Sequence, residues 1–351
     1  MSKKIYNYSH FQFTIEKSVS LNGIGLHNGK ECNITFFPAA ENFGILFLYI
    51  DSMNKLNNQS RITYLPAIYK NIVCANMSSK IGNANTEINT IEHLMSSLWG
   101  CGIDNMIILV DSVEIPALDG SASLFIDAIN KTGLKKQTQK RKYLIIKKEI
   151  IFENKDSSIK ISPFLSKEYY NIIYNNLYKS NIENNNSYKY GLLIDFFIEF
   201  PNIGKQKHIY IEKYGENNFF LNNNVDHKNY EYYYDSHHQI SCNFEKTIGK
   251  ARTFGFIKDA QKLWELGLAL GANTENVILI NEKGLISNGN LRFKNEFVRH
   301  KILDCIGDLY LSGYRLVADV VCHKSGHSST IHLLHKIFAD SDNYEIVEAG
   351  Y

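Results

Sequence analysis

Several absences bound what this chain can be. Its six cysteines (Cys32, Cys74, Cys101, Cys242, Cys305 and Cys322) show no C-x-x-C spacing and no dense framework, which excludes a disulfide scaffold and fits reduced thiols. The N-terminus, Met1-Ser2-Lys3-Lys4-Ile5-Tyr6, lacks the apolar run of roughly 7–15 residues that marks a signal peptide. No stretch approaches the roughly 18 consecutive apolar residues of a membrane span. Together these predict a cytoplasmic protein that takes any membrane-derived substrate from the cytoplasmic side. The formal net charge is only +2, which argues against a dedicated nucleic-acid binder. Lysines do gather around Lys135–Lys148, and they read as a charged linker. Proline is scarce, at 5 of 351 residues, whereas Asn, Lys, Ile and Tyr are heavily used. That bias points to an AT-rich host genome and carries no chemistry.

What is present describes a core-forming globular chain, 44% hydrophobic and 21% charged, long enough for one large domain or two of ordinary size. Strand-like stretches at 18–26, 31–36, 44–50 and 106–110 surround helical ones at about 90–99 and 121–131. Gly133 to Lys142 is polar and basic. Strands resume at 143–150, 159–161 and 192–200. Helices follow at about 256–266 and 294–312, then a strand near 315–322 and a helix near 328–338. Two Asn- and Tyr-rich tracts, near 166–190 and 222–238, read as insertions with no assigned role. The His237-His238 pair in the second reads as loop rather than as ligands.

Two segments carry metal-grade chemistry. In Phe297 to Asp308, read as a helix, Val298, Ile302, Cys305, Ile306 and Leu309 form an apolar stripe, while His300, Asp304 and Asp308 step by four along the other side. Residues four apart have Cβ atoms about 5–6 Å apart, which suits two ligands of one ion. A solvated face with ordinary charge pairs explains that pattern equally well. Gly307, on the same side, hints at a close approach to the backbone. In Thr90-Ile91-Glu92-His93-Leu94-Met95, Ile91, Leu94, Met95 and Leu98 are the core stripe, Asn89 or Thr90 the N-cap and Gly100 the stop. His93 then points outward, and taken alone reads as a surface residue, with Glu92 a first-turn acid. Two histidines and an aspartate would leave a fourth position for water, as hydrolytic zinc sites do.

Seven blocks in order resemble the UDP-3-O-acyl-N-acetylglucosamine deacetylases, the zinc amidases of lipid A synthesis (LpxC family). They are Gly23 to Lys30, Thr90 to Leu94, Gly102 to Asn105, Glu114 to Ala122, Ala251 to Phe256, Leu291 to Gly313 and His323 to His327. They cover nearly the whole chain. The resemblance implies an α+β fold of two similar domains, residues 1–134 and 143–351, joined by a linker at 135–142. Each would be a two-layer α/β sandwich, with helices of both meeting around the metal.

The resemblance also implies the chemistry. His93, His300 and Asp304 would hold Zn²⁺, or Fe²⁺ in its place, with Glu92 as general base. Thr253 would supply the oxyanion hydroxyl, and His327, oriented by Asp308, the second catalytic group. Lys301, Lys147 (or its neighbour Lys148), Phe254 and Asp259 would contact the sugar nucleotide. Leu26 and the segment around Ala272 would line a passage for the 3-O-acyl chain. The family's usual Gly-Gly-Ser is Gly271-Ala272-Asn273 here, so a narrower passage is expected. Each of these residues alone reads as an ordinary surface charge, loop histidine, turn hydroxyl or core aromatic. The expected reaction releases acetate from a UDP-linked, 3-O-acylated N-acetylglucosamine, in a monomeric enzyme of a Gram-negative cytoplasm. Two alternatives stand: a zinc amidase for another N-acetyl sugar, and a non-catalytic family member.

Overall fold

In the strands Glu31–Pro38 and Met106–Val110, buried side chains alternate with more exposed ones. That two-residue period gives a sheet one apolar face, which must be covered. A computed structural model, describing residues 9–51, 61–75, 77–164, 191–214, 231–233, 239–285 and 290–350, shows the cover. A five-stranded sheet takes the order Val19–Ile24, Glu31–Pro38, Met106–Val110, Ile45–Asp51, Arg61–Pro66. Only the Ile45–Asp51 and Met106–Val110 pair is parallel. Helices α1 (Glu92–Cys101) and α2 (Ser123–Thr132) contribute Leu94, Leu98, Phe125, Ile126 and Ile129 to the core that this sheet shares.

A second sheet, nine-stranded, is built from residues 142–348, with Arg315–His323 at its centre. That strand lies parallel to Gly191–Phe200 and to Lys142–Ile146, and antiparallel to Ser157–Ser162. Bordered on both sides, it reads as a nearly continuous apolar run, Leu316-Val317-Ala318-Asp319-Val320-Val321-Cys322. After the short helix α3 (Phe244–Thr247) and α4 (Ile257–Glu265) come the long helices α5 (Glu296–Tyr310) and α6 (His327–Phe338), which pack against this sheet and each other. A three-stranded sheet (Phe254–Phe256, Ile278–Asn281, Gly284–Leu285) carries α4 as a lobe. The fold is α+β, as expected.

Several local expectations need correction. The polar stretch at 135–142 is no free tether: Leu134–Lys140 is a strand paired with Phe11–Ile15. Arg141 then dives inward and donates from Nε and Nη2 to Asp104, at 2.8 and 2.7 Å. A backbone ladder, which side-chain polarity does not reveal, orders this segment. Helix α1 starts at Glu92 without a side-chain cap, and Thr90 instead adopts φ +59°. It ends at Gly102, in left-handed backbone, not at Gly100, which lies inside the helix against Phe244. The strands Arg61–Pro66, Gly204–Lys213 and Tyr344–Glu348 had no clear alternation to announce them, whereas Phe11–Ile15 does alternate, as Phe-Gln-Phe-Thr-Ile, and was not among the expected strands. The tracts 166–190 and 222–238 lie outside the described residues, except for the short strand Glu231–Tyr233.

The largest departure concerns α5. Its polar side was readable as a solvated face, yet all but one of its residues are buried, because α1 lies across it. The crossing is close. A Cβ placed on Gly307 would sit 2.0 Å from the carbonyl oxygen of Glu92. The approach hinted at by that glycine is therefore the backbone of α1. Alanine at this position would raise helix propensity by about 1 kcal/mol, but it must push two helices apart. Gly307→Ala is therefore expected to lower stability by about 1–3 kcal/mol, the usual cost of overpacking. A urea midpoint unchanged or raised by the substitution would show that the helices yield freely there.

Candidate metal and catalytic site

The α1–α5 crossing sets the first turn of one helix beside the middle of the other. The Nε2 atoms of His93 and His300 lie 3.4 and 3.3 Å from Oδ1 of Asp304. The three ligand atoms all fall within 4.8 Å of one another. The two rings stand nearly perpendicular, with centroids 4.9 Å apart. All three residues are buried, so the outward-facing reading of His93 is wrong. The surface it faces is α5, not solvent.

The donors fit a cation. Nδ1 of His300 lies 3.1 Å from the carbonyl oxygen of Ala251, an acceptor, so this nitrogen carries the proton. Nε2 is then a lone-pair donor facing a carboxylate oxygen. Burial lowers the pKa of His300 to about 3, keeping the ring neutral. Asp304 Oδ1 is buried and accepts no hydrogen bond. Two acceptors facing each other at 3.3 Å call for a positive charge between them. Burial would raise Asp304, but the ammonium of Lys301, with His93 and His327, outweighs it and holds the carboxyl well below its usual range. Lys301 Nζ binds the other oxygen, Oδ2, at 2.8 Å.

Two further groups reach this centre. Glu92 Oε2 accepts the backbone N–H of Ser79 at 3.0 Å, and Oε1 faces His327 Nε2 at 4.0 Å. Burial raises the pKa of Glu92, opposed by His327 and His93. His327 opens α6. Its Nδ1 lies 2.8 Å from Asp308 Oδ2, and its Nε2 lies 3.8 Å from Asp304 Oδ2. Burial alone would lower its pKa, but Asp308, Asp304 and Glu92 together raise it to about 9. Burial likewise opposes a charge on His93, and Asp304 and Glu92 reverse the sign. A field that raises two imidazoles against their burial is one that attracts a cation.

The other expected residues are placed less centrally. Thr253 is half-buried; its N–H donates to the carbonyl of Gly120, and its own carbonyl accepts Ile278 N–H, both at 2.8 Å. Phe254 presents its ring to Phe297 and His300, at 4.9 and 6.2 Å between centroids. Asp259 is exposed in the first turn of α4. Leu26 and Ala272 are both half-buried, and the residue before Ala272 reaches Leu26: Gly271 N–H donates to the Leu26 carbonyl at 3.0 Å. Lys147 is not brought to the cluster. It is exposed and bonded through its backbone to Asn343, beyond the C-terminus of α6, whose N-terminus holds His327. Lys148 pairs with Asp342 at 3.3 Å in the same region.

Sequence reasoning missed Ser79 altogether. Its N–H serves Glu92, its hydroxyl donates to Asp308 at 2.5 Å, and its carbonyl accepts Ile91 N–H. Nothing in Met77-Ser78-Ser79-Lys80 announces this, since a serine before a short strand carries no spacing signal.

Known proteins extend the comparison to the whole chain. The family model described as UDP-3-O-acyl N-acetylglycosamine deacetylase (LpxC) matches residues 12–200 and 205–339. The UDP-3-O-acyl-N-acetylglucosamine deacetylase of Syntrophotalea carbinolica is 32% identical over 343 residues, covering 97% of this chain and 92% of the relative. That of Geotalea uraniireducens is 33% identical over 338 residues, covering 96% and 92%. The Citrifermentans bemidjiense enzyme of the same name is 32% identical over 338 residues, again 96% and 92%. With full-length likeness added to a buried two-histidine, one-aspartate cluster, the chain belongs to the UDP-3-O-acyl N-acetylglycosamine deacetylase (LpxC) family, whose members are metalloenzymes.

Proposed function

We propose that the chain hydrolyses the N-acetyl group of UDP-3-O-acyl-N-acetylglucosamine, releasing acetate and leaving the 2-amine of the sugar, the committed step of lipid A synthesis. Family membership supports the reaction. The observation that carries the site assignment is the convergence of Glu92 and His327, 4.0 Å from each other, on the His93–His300–Asp304 cluster. The ion we assign is Zn²⁺; the same donor set suits Fe²⁺, and elemental analysis of the purified protein separates the two. When bound, the metal supplies Lewis acidity, polarising the amide carbonyl and making water acidic enough to react at neutral pH.

The rest of the chemistry belongs to side chains. Glu92 has one oxygen tethered by Ser79, so the other is left to take the proton of the attacking water. Its burial raises its basicity above that of an exposed carboxylate. His327 is held protonated at neutral pH, with Nδ1 fixed on Asp308. Nε2–H is then free to stabilise the oxyanion and to protonate the departing amine. Thr253 is assigned a second contact to that oxyanion. Lys301, Phe254 and Asp259 are assigned to the sugar nucleotide, and Leu26 and Ala272 to the acyl passage. Lys147 keeps the weakest claim, being remote from the cluster. Among the described residues no helix is long and apolar enough to cross a membrane. Cys32, Cys305 and Cys322 are free thiols, which supports a cytoplasmic location.

Two outcomes check this reading. Glu92→Gln keeps all three ligands and most of the shape, and is expected to lower kcat by about 10²–10⁴-fold, the usual worth of a general base. Metal content should stay at the wild-type level. A Glu92→Gln protein that turned over normally would remove Glu92 from the mechanism. Chelation should abolish wild-type acetate release, and added Zn²⁺ should restore it.

The second outcome concerns pH. An acid with a raised pKa stays protonated until the pH passes that value, so activity falls on the alkaline side. Asp308 is the foremost group raising His327. Asp308→Asn removes that charge, lowers the pKa of His327, and should move the alkaline limb of kcat/KM to lower pH. An alkaline limb at an unchanged pH would assign it to another group.

A further inference from the structure

Glu114 plays no part in the chemistry above, yet its side chain is committed. The residue is 1% exposed. Oε1 accepts the hydroxyl of Thr90 at 3.0 Å and the backbone N–H of His27 at 2.8 Å, and Oε2 accepts Asn28 N–H at 2.7 Å. The backbone around it is held independently. Asn89 N–H donates to Val113 O at 2.9 Å, and Ile115 N–H to Asn89 O at 3.1 Å. Gly25 makes room for the carboxylate, since a Cβ there would lie 2.6 Å from Oε2.

Thr90 is the second observation. It holds φ +59°, a region that β-branched residues avoid and that persists only where neighbours enforce it. It is 4% exposed, and it stands two residues before Glu92 and three before His93. Helix α1 has no side-chain cap, so the direction in which it leaves is set by this strained residue and by Ser79. Strain of this kind clusters where geometry matters to function. The turn on the other side of the carboxylate has its own load. The carbonyls of Leu26 and His27 accept Gly271 and Leu270 N–H, both at 3.0 Å, which docks the loop that follows α4.

We propose that Glu114 is a positioning residue: by holding Thr90 in left-handed backbone against the turn at 25–29, its carboxylate sets the angle at which α1 presents Glu92 and His93 to α5. The proposal rests on the assignment of His93 as a metal ligand and Glu92 as base. The test uses the full chain as wild type, Glu114→Gln, Thr90→Asn and the double variant. Each is titrated with Co²⁺ alone, followed by visible absorption, and each is assayed for deacetylation.

Glu114→Gln keeps its backbone seat but turns a donor toward N–H groups. It should weaken Co²⁺ binding about tenfold and lower kcat about tenfold, with KM within about twofold, as expected when support behind a ligand is lost. Asparagine tolerates left-handed backbone without help. In the Thr90→Asn background the Glu114→Gln loss should therefore shrink to about threefold or less. Glu114→Gln protein with a lowered Tm but unchanged Co²⁺ affinity, Co²⁺ spectrum and kcat overturns the proposal, as does an undiminished loss in the Thr90→Asn background. Wild-type protein that takes up no Co²⁺ overturns the ligand assignment, and this proposal with it, before any variant is compared.

Discussion

A carbonyl oxygen of α1 occupies the space where α5 would carry a side chain, and the candidate site follows from that contact. Helices crossing at ordinary separation, about 8–10 Å between axes, would leave His93 short of Asp304. Glycine at 307 lets the Glu92 backbone come in, and that brings the next residue's imidazole to 3.4 Å from Asp304 Oδ1. One small residue therefore joins ligands drawn from segments some two hundred positions apart. Both helices give their apolar stripes to the cores under the two sheets, so the polar sides are the ones left to meet. That arrangement is costly unless the polar groups satisfy each other.

They do so by pairing charge with charge. Glu92, Asp304 and Asp308 are all buried, as are His93, His300 and His327. Three carboxylates at close quarters would repel, and burial alone would push their protons back on. Lys301 and the imidazoles prevent that for Asp304, and the same carboxylates keep His327 charged against its own burial. Within the cluster His300 stays neutral because its burial outweighs the pull of Asp304 and of the Ala251 carbonyl, both of which favour its charged form. Two histidines of different helices, His300 of α5 and His327 of α6, thus sit in opposite protonation habits. A ligand needs the neutral form and an acid needs the charged one.

Much of this could be seen in the chain itself, for particular reasons. The four-residue step of His300, Asp304 and Asp308 survives folding because a helix keeps its period whatever surrounds it. The main helices could be placed because their apolar stripes repeat, though their ends shifted by a residue or more. Burial of α5 could not be read, because the stripe marks one apolar side and is silent on a polar side covered by another polar helix. The stop of α1 was misjudged for a related reason. Gly100 and Gly102 look alike in sequence, and only the contact of the first with Phe244 separates a packing glycine from a left-handed cap. The strand at Leu134–Lys140 was hidden by its lysines, which project from a ladder made of backbone. The roles drawn from family likeness fared unevenly in space. His93, His300, Asp304, Glu92, His327 and Asp308 cluster, whereas Lys147 lies past the far end of α6.

What no spacing could reveal is how the acids are made unequal. Each of the three has one oxygen tied and the other aimed. Glu92 gives Oε2 to Ser79 N–H and turns Oε1 toward His327. Asp308 gives Oδ1 to the Ser79 hydroxyl and Oδ2 to the His327 ring. Asp304 gives Oδ2 to Lys301 and leaves Oδ1 to the two imidazoles. Helices deliver the carboxylates to one place, but a helix face cannot choose which oxygen points where. That choice is made by an unremarkable serine and by a lysine one turn away. Acids of one kind acquire different roles only when their surroundings differ, and here the difference rests on the tether each one has.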